Sequence, residues 1–290
     1  MKSSKILILV VAILFIVLGI YLVLINEKAV VFHPKGIIAK KELELIITNI
    51  ILMLLIIVPT FILLFTVVYK YCIKKENAEY DPDHTFSWTG QLLMWVIPSL
   101  IVVVMAIITW NATHQLNPYK PLESHDKPLS VQVVALNWKW LFIYPELGIA
   151  TLNYMHIPER VPIHLKLAAD GSPMNSFWIP QLSGQIYAMT GMSTQLHLMA
   201  EGPGEYMGRE VEINGEGYAD MTFPVKSSSI KDFENWVSEV RKSSLHLTED
   251  RYNELVQPAV NKSVIFFSDV EKNLYQKILR RYMYPTGSVL

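Results

Sequence analysis

One cysteine (Cys72), eight histidines and a few acid-rich stretches are the residues in this 290-residue chain that could ligate a metal or do acid–base or nucleophilic chemistry. A lone thiol forms no internal disulfide and no multi-cysteine cluster. His33, His84, His114, His125, His156, His164, His197 and His246 show no zinc-type spacing, and each reads first as a surface or core histidine. Ser183 lies among the hydroxyl and amide groups of residues 172–185 without a histidine at a motif spacing, so hydrolase chemistry has no support. Glu76, Glu79, Asp81, Asp83 and His84 could supply a protonatable group, yet a solvated acidic loop is the simpler reading. No self-contained catalytic constellation emerges, which shifts attention to the elements around these residues.

The composition is 51% hydrophobic and 18% charged, with a formal net charge of −1. Near-neutrality gives no reason to expect a nucleic-acid partner. The apolar excess is concentrated in three runs. Ile6 to Ile25 is charge-free and long enough to cross a bilayer core, which takes about 20 residues. It follows Lys2 and Lys5, the basic start of a signal peptide or an uncleaved anchor helix, and Asn26-Glu27-Lys28-Ala29 is a poor cleavage site. Leu45 to Val68 contains Pro59, and Leu92 to Trp110 contains Pro98 with Trp95 and Trp110 near its ends. Interior prolines are tolerated where neighbours satisfy the freed carbonyls, and terminal aromatics suit the headgroup zone. The lysine counts on the two sides of the membrane nearly balance (Lys2, Lys5, Lys70, Lys74 and Lys75 against Lys28, Lys35, Lys40 and Lys41). The basic start places the N-terminus and loop 70–90 in the cytoplasm and everything after Trp110 outside.

Beyond about Lys127 the period changes. Leu129 to Ala135 and Ile163 to Leu167 alternate as strands, with further strands predicted at Gln185–Met189, Thr194–Met199 and Gly217–Pro224. Short strands at close spacing predict a β-sandwich or barrel. After Ser229 the pattern turns helical at 230–241, 248–256 and 270–282, the last with Leu274, Ile278 and Tyr282 four residues apart. The predicted fold is thus an α+β membrane protein. Residues 1–25 form a signal or anchor helix, 43–111 a transmembrane hairpin, 125–226 a β-sandwich, and 227–290 an aromatic-rich helical appendage.

In this order, several segments carry a family resemblance: Pro34-Lys35-Gly36, Trp95-Val96-Ile97-Pro98, the run Asn137-Trp138-Lys139-Trp140 through Pro145, Asn175 to Pro180, and Gln185 to Met189. Together with the aromatic-rich tail, they make the chain resemble subunit II of the haem-copper respiratory oxidases, most closely the quinol oxidase (cytochrome bo-type) branch. The resemblance implies a cupredoxin-like outer domain. It also supplies a chemical test. The cytochrome c oxidase branch holds a two-copper centre on two histidines, two cysteines, a methionine and a glutamate carbonyl. Those positions fall here on Asn175 and Tyr218, Glu210 and Asn214, Met221, and Glu212. Bridging thiolates hold two soft copper ions together, and carboxylate or amide oxygens are hard ligands that do not replace them. The expectation is therefore no metal, no cofactor and no catalytic residue in this chain.

Trp138 matches a tryptophan through which cytochrome c oxidases are thought to take electrons, and without copper behind it a packing role is expected. Gln91 matches a glutamate at the mouth of a proton path; a glutamine exchanges no proton. The resemblance implies the second, non-catalytic subunit of a proton-translocating ubiquinol oxidase that reduces oxygen to water. Haems and copper would lie in subunit I, with further small membrane subunits and lipid as neighbours, in a bacterial inner membrane with the C-terminal domain periplasmic. Two alternatives stand beside it: a copper-bearing cytochrome c oxidase subunit, and a stand-alone membrane-anchored cupredoxin-like binding protein.

Overall fold

The computed structural model describes residues 19, 21, 26, 29–71, 87–124, 126–172, 174–260 and 263–283. The readings of 1–25 as a signal or anchor, of the acidic residues 76–84 and of Cys72 therefore lie largely or wholly outside the described residues. The chain divides into two compact units, Lys41–Asn117 on one hand and Met1–Lys40 with Pro118–Leu290 on the other.

The first unit is built on helices α1 (Ile37–Tyr71) and α2 (Trp88–Gln115), each long and apolar enough to cross a membrane. At 28 residues, α2 extends about 42 Å, more than a hydrocarbon core of about 30 Å. Helix α1 starts eight residues before the apolar run predicted from sequence. Lys40, Lys41, Glu42 and Glu44 interrupt the hydropathy there, but they are good helix formers. The buried core helix of a soluble protein would hide its large apolar residues. Here nearly all of them, from Ile46 to Trp110, are exposed. Hydroxyls within the spans are satisfied locally: Thr48 donates to the Glu44 carbonyl (2.7 Å), Thr60 to Ile56 (2.8 Å), Thr66 to Ile62 (2.6 Å) and Thr113 to Thr109 (2.8 Å). Ser87 caps α2 by accepting from Gly90 N at 3.2 Å.

The second unit is a two-sheet sandwich. Its strands are β1 (Leu129–Leu136), β2 (Lys139–Tyr144), β3 (Ile149–Leu152), β4 (Met155–Pro158), β5 (Ile163–Ala169), β6 (Met174–Trp178), β7 (Ile186–Met189), β8 (Thr194–Leu198), β9 (Gly204–Glu210) and β10 (Thr222–Ser228). The tail adds α3 (Ile230–Val240), β11 (His246–Leu247), α4 (Glu249–Val256), β12 (Ile265–Phe267), β13 (Asp269–Val270) and α5 (Leu274–Met283). One sheet runs β12-β3-β2-β1-β5-β8, the other β4-β10-β9-β6-β7, and β11 pairs with β13. The two sheets share one core in which Trp140 and Phe142 meet Phe177 and Phe223, with ring centroids 5.3 Å (Trp140–Phe177) and 5.0 Å (Phe142–Phe223) apart. On β9, Gly208 faces Phe223; a Cβ there would sit 2.0 Å from the phenyl ring, so no side chain fits.

Strand β2 is buried on both faces. Trp140, Phe142 and Tyr144 enter the sandwich core, while Leu141 and Ile143 enter a second core roofed by Tyr252, Leu255, Leu274, Tyr275 and Ile278 of the tail. That double burial explains the unbroken apolar run in its sequence. The tail also differs from a purely helical appendage, because β12 pairs with β3 and extends the first sheet. Two further elements differ from expectation. The strand predicted at 217–224 is a 3-10 turn at Tyr218–Asp220 followed by β10, whose alternation continues to Ser228. The last helix begins at Leu274 rather than 270, because Val270 pairs with Leu247 and Asn273 turns left-handed (φ 60).

The segment entering α1 is stitched to the sandwich. Lys35 N and Gly36 N both donate to the Gln181 carbonyl at 2.8 Å, Glu201 N donates to Lys35 O (3.1 Å), and Gln181 Nε2 donates to His33 O (3.2 Å). Lys40 pairs with Glu201. A Cβ on Gly36 would lie 2.4 Å from the Leu182 carbonyl oxygen, which explains the glycine. At the far end of the hairpin, His197 Nδ1 lies 3.0 Å from the Pro118 carbonyl.

Candidate functional site

Strand β6 carries Asn175, β9 ends at Glu210, and the connection to β10 carries Glu212, Asn214 and Met221. The alternation of β6 puts Asn175 on the same face as the core residue Phe177, and the register pairs Phe177 with Glu210. Five of the six positions singled out from sequence are joined by hydrogen bonds or close contact. Asn214 Nδ2 donates to Asn175 Oδ1 at 2.5 Å and lies 4.0 Å from the Met221 sulfur. Glu210 Oε1 accepts from Ser176 N (2.6 Å) and Glu212 N (2.9 Å), and Glu210 N donates to Met221 O (3.0 Å). Glu212 takes part through its backbone only, and Tyr218 lies in the 3-10 turn.

Asn175 is fully buried, and Met221 and Glu210 are nearly so. Burial pushes the Glu210 carboxyl up to about 7; the nearby backbone N–H groups of Ser176, Glu212 and Val211 (the last donating to the Ser176 carbonyl at 3.2 Å) oppose the rise and the Glu212 charge adds to it. A two-copper centre needs soft bridging donors, whereas this set offers a carboxylate, two amides and one thioether, with the amides already bonded to each other. The residues do not fit that centre.

Trp138 occupies the two-residue turn between β1 and β2 in a left-handed conformation (φ 60), which costs a non-glycine residue about 1 kcal/mol or more. Its indole holds that place by packing: a Cβ on Gly217 would lie 2.5 Å from Trp138 Cγ, and one on Gly215 3.1 Å from the indole nitrogen. On either side of it, Asn137 Nδ2 donates to Val256 O (3.1 Å) and Lys139 Nζ to Gln257 O (2.8 Å), satisfying carbonyls at the end of α4. Trp138 thus wedges the Gly215–Gly217 backbone against the turn that holds the tail. Gln91 sits in the first turn of α2.

Other titratable groups have structural settings. His156 Nε2 lies 2.8 Å from Ser228 Oγ beneath Phe233 and Trp236 of α3; burial first, then the Lys226 charge, pushes its pKa down to about 4. That pair is buried beneath the helix. His164 and His197, paired across β5 and β8, stack with centroids 4.5 Å apart. No group of three or more His, Cys, Asp or Glu side chains is arranged for a metal among the described residues. Ser183 is buried, and its hydroxyl makes no hydrogen bond to a histidine among the described residues.

Sequence reasoning missed Asp170. Its buried carboxylate accepts from Tyr252 Oη (2.6 Å) and Tyr282 Oη (2.7 Å), with Arg281 Nη1 3.4 Å away and the guanidinium over the Tyr252 ring. This hub ties α4 and α5 to the end of β5. Its partners are far off in sequence; the only local signal is a charged residue following the apolar strand Ile163–Ala169.

A family model described as the COX Aromatic Rich Motif matches residues 241–286, the segment holding Tyr252, Arg281 and Tyr282. The chain is similar to cytochrome bo(3) ubiquinol oxidase subunit 2 of Pseudomonas aeruginosa, 41% identical over 87% of this chain and 76% of that one. It is similar also to ubiquinol oxidase subunit 2 of Acetobacter aceti, 42% identical over 87% of this chain and 82% of that protein. Quinol oxidase subunit 2 of Bacillus cereus is 40% identical over 84% of each chain.

Proposed function

The chain belongs to the family of quinol oxidase subunit 2, and from that premise we propose that it is the metal-free second subunit of a membrane-bound oxidase that takes electrons from a quinol and passes them to oxygen. The observation that carries the metal-free part is the chemistry of Asn175, Glu210, Asn214 and Met221, which bring two amides, one carboxylate and one thioether together where a two-copper centre needs bridging thiolates, with Asn214 Nδ2 bonded to Asn175 Oδ1 and Glu210 Oε1 to two backbone N–H groups. A lipid-soluble donor reaches its oxidation site from within the bilayer, so the outer domain has no electrons to relay. In this reading haems and copper reside in the large catalytic subunit, and this chain performs no chemical step.

Its contribution is positional. The exposed apolar faces of α1 and α2 suit burial against a larger helical partner in lipid. The stitches around Gly36 hold the start of α1 to a rigid sandwich, and the tail, clamped on Asp170, thickens the sandwich on its outer face. Trp138 acts as packing, not as an electron port. We place the sandwich on the periplasmic side of an inner membrane.

The test is purification of the intact complex in mild detergent, followed by its visible spectrum, copper-to-haem ratio and oxygen uptake with ubiquinol and menaquinol analogues. The proposal expects co-elution with a haem-bearing subunit, quinol-dependent oxygen uptake and no copper beyond that of the catalytic subunit. A haem-free preparation would favour a stand-alone binding protein. Extra copper with cytochrome c-dependent uptake would favour the copper-bearing branch.

A further inference from the structure

The end of the sandwich around Asn175 contains more buried hydrogen-bonding capacity than it uses. Glu210 Oε1 takes the bonds from Ser176 N and Glu212 N, while its second oxygen, Oε2, is buried without a partner. Asn175 Nδ2 and Asn214 Oδ1 are likewise buried and unpartnered. Asn175's amide donors thus reach neither orphaned oxygen. The charge acting on Glu210 from the surrounding elements is the Glu212 carboxylate, of the same sign, with no cation among the described residues to offset it. Neighbouring Arg209 is exposed and on the opposite face of β9.

An ionised carboxylate buried with a free oxygen and no countercharge costs several kcal/mol, and proteins relieve that cost by neutralising the group. A proton on Oε2 does this with no rearrangement. It removes the charge and leaves Oε1 to the two backbone donors. We propose that Glu210 is a proton-binding site: in the folded subunit its carboxyl is neutral, carries the proton on Oε2, and releases it to solvent when the 211–215 loop opens. The raised pKa agrees in direction. Opening then depends on pH. In the open loop the carboxyl has its ordinary affinity for protons, so between about 4.5 and about 7 each opening releases one proton and becomes more favourable as pH rises. Above about 7 both states are ionised and the dependence stops. This site rests on the metal-free reading, since copper on the same loop would remove it.

The experiment uses the purified oxidase complex. Hydrogen–deuterium exchange is followed at residues 211–216 from pH 5 to 8, in wild type and Glu210→Gln, with infrared spectra of both at pH 5.5. The wild-type protection factor is expected to fall about tenfold per pH unit up to about pH 7 and then level off. Glu210→Gln, whose amide keeps a donor and an acceptor in place, is expected to give a flat profile. The wild type should show a protonated-carboxyl band that the variant lacks. Equal slopes in the two proteins, or a flat wild-type profile, overturns the proposal. If the variant fails to assemble, the wild-type pair of measurements decides alone: a pH-dependent loop without a band that titrates in step sinks the idea. Copper is quantified on the same sample. Copper at this loop refutes the metal-free reading, whereas a copper-free complex without the band refutes only the proton site.

Discussion

Asp170 and Glu210 are both buried carboxyl groups at strand ends, one at the end of β5 and one at the end of β9, and the sandwich handles them in opposite ways. Asp170 collects two phenol donors and a guanidinium, all from the tail. Glu210 collects only backbone N–H groups, on one oxygen, and no cation. The first arrangement fastens one part of the chain to another, because its partners come from elements 82 to 112 residues away. The second is a local closure of the loop between β9 and β10. A buried acid is thus a fastener when its donors are distant and a proton site when they are local and incomplete.

This contrast can be broken experimentally. The largest effect is expected from Asp170→Asn, which removes the charge facing Arg281 and one acceptor from the two phenols. Loss of one partner from such a buried network costs about 3 kcal/mol, and protease should cut within 241–283 at correspondingly lower denaturant. An uncut tail would show that apolar packing under α5, not the hub, holds the segment.

Glu210→Gln should act in the other direction. Folding raises the Glu210 pKa above its unfolded value, so its favourable contribution is present at low pH and lost as pH rises from about 4.5 through about 7. The glutamine variant should therefore match wild type near pH 4.5 and exceed its stability by about 2 kcal/mol at pH 8, read from thermal midpoints of the complex across that range. A variant equally less stable at every pH would make Glu210 a simple hydrogen-bond acceptor, as Asp170 is.

The smallest effect is expected at Trp138→Phe, which trims the wedge against Gly215 and Gly217. A loss of about 1 kcal/mol with unchanged quinol-dependent turnover marks a packing residue. A large fall in turnover at intact stability would restore an electron-transfer role.

Much of this organisation is legible in the sequence, for physical reasons that also mark where legibility stops. Charge-free runs announce α1 and α2, but the charged first turns of α1 hide its true start. Strands β1, β5 and β8 alternate clearly. Strand β9 carries two glycines and three charged residues, and its buried positions emerge only when Gly208 is seen beneath Phe223. Tail strand β12 is three residues long and depends on β3 for its existence. Among site residues, family resemblance brings Asn175, Glu210, Asn214 and Met221 together as replaced positions. Their mutual bonds need coordinates, because one-dimensional spacing cannot show that two amides have turned towards each other. Asp170 is invisible for the same reason, since every partner of its carboxylate is contributed by a remote helix.

The anchoring at Gly36 and at Pro118 has a consequence for topology. The chain leaves the sandwich at the first residue and rejoins it by the second, so both feet of the hairpin are moored to one body. In the membrane-spanning arrangement we propose, that calls for an even number of crossings between them.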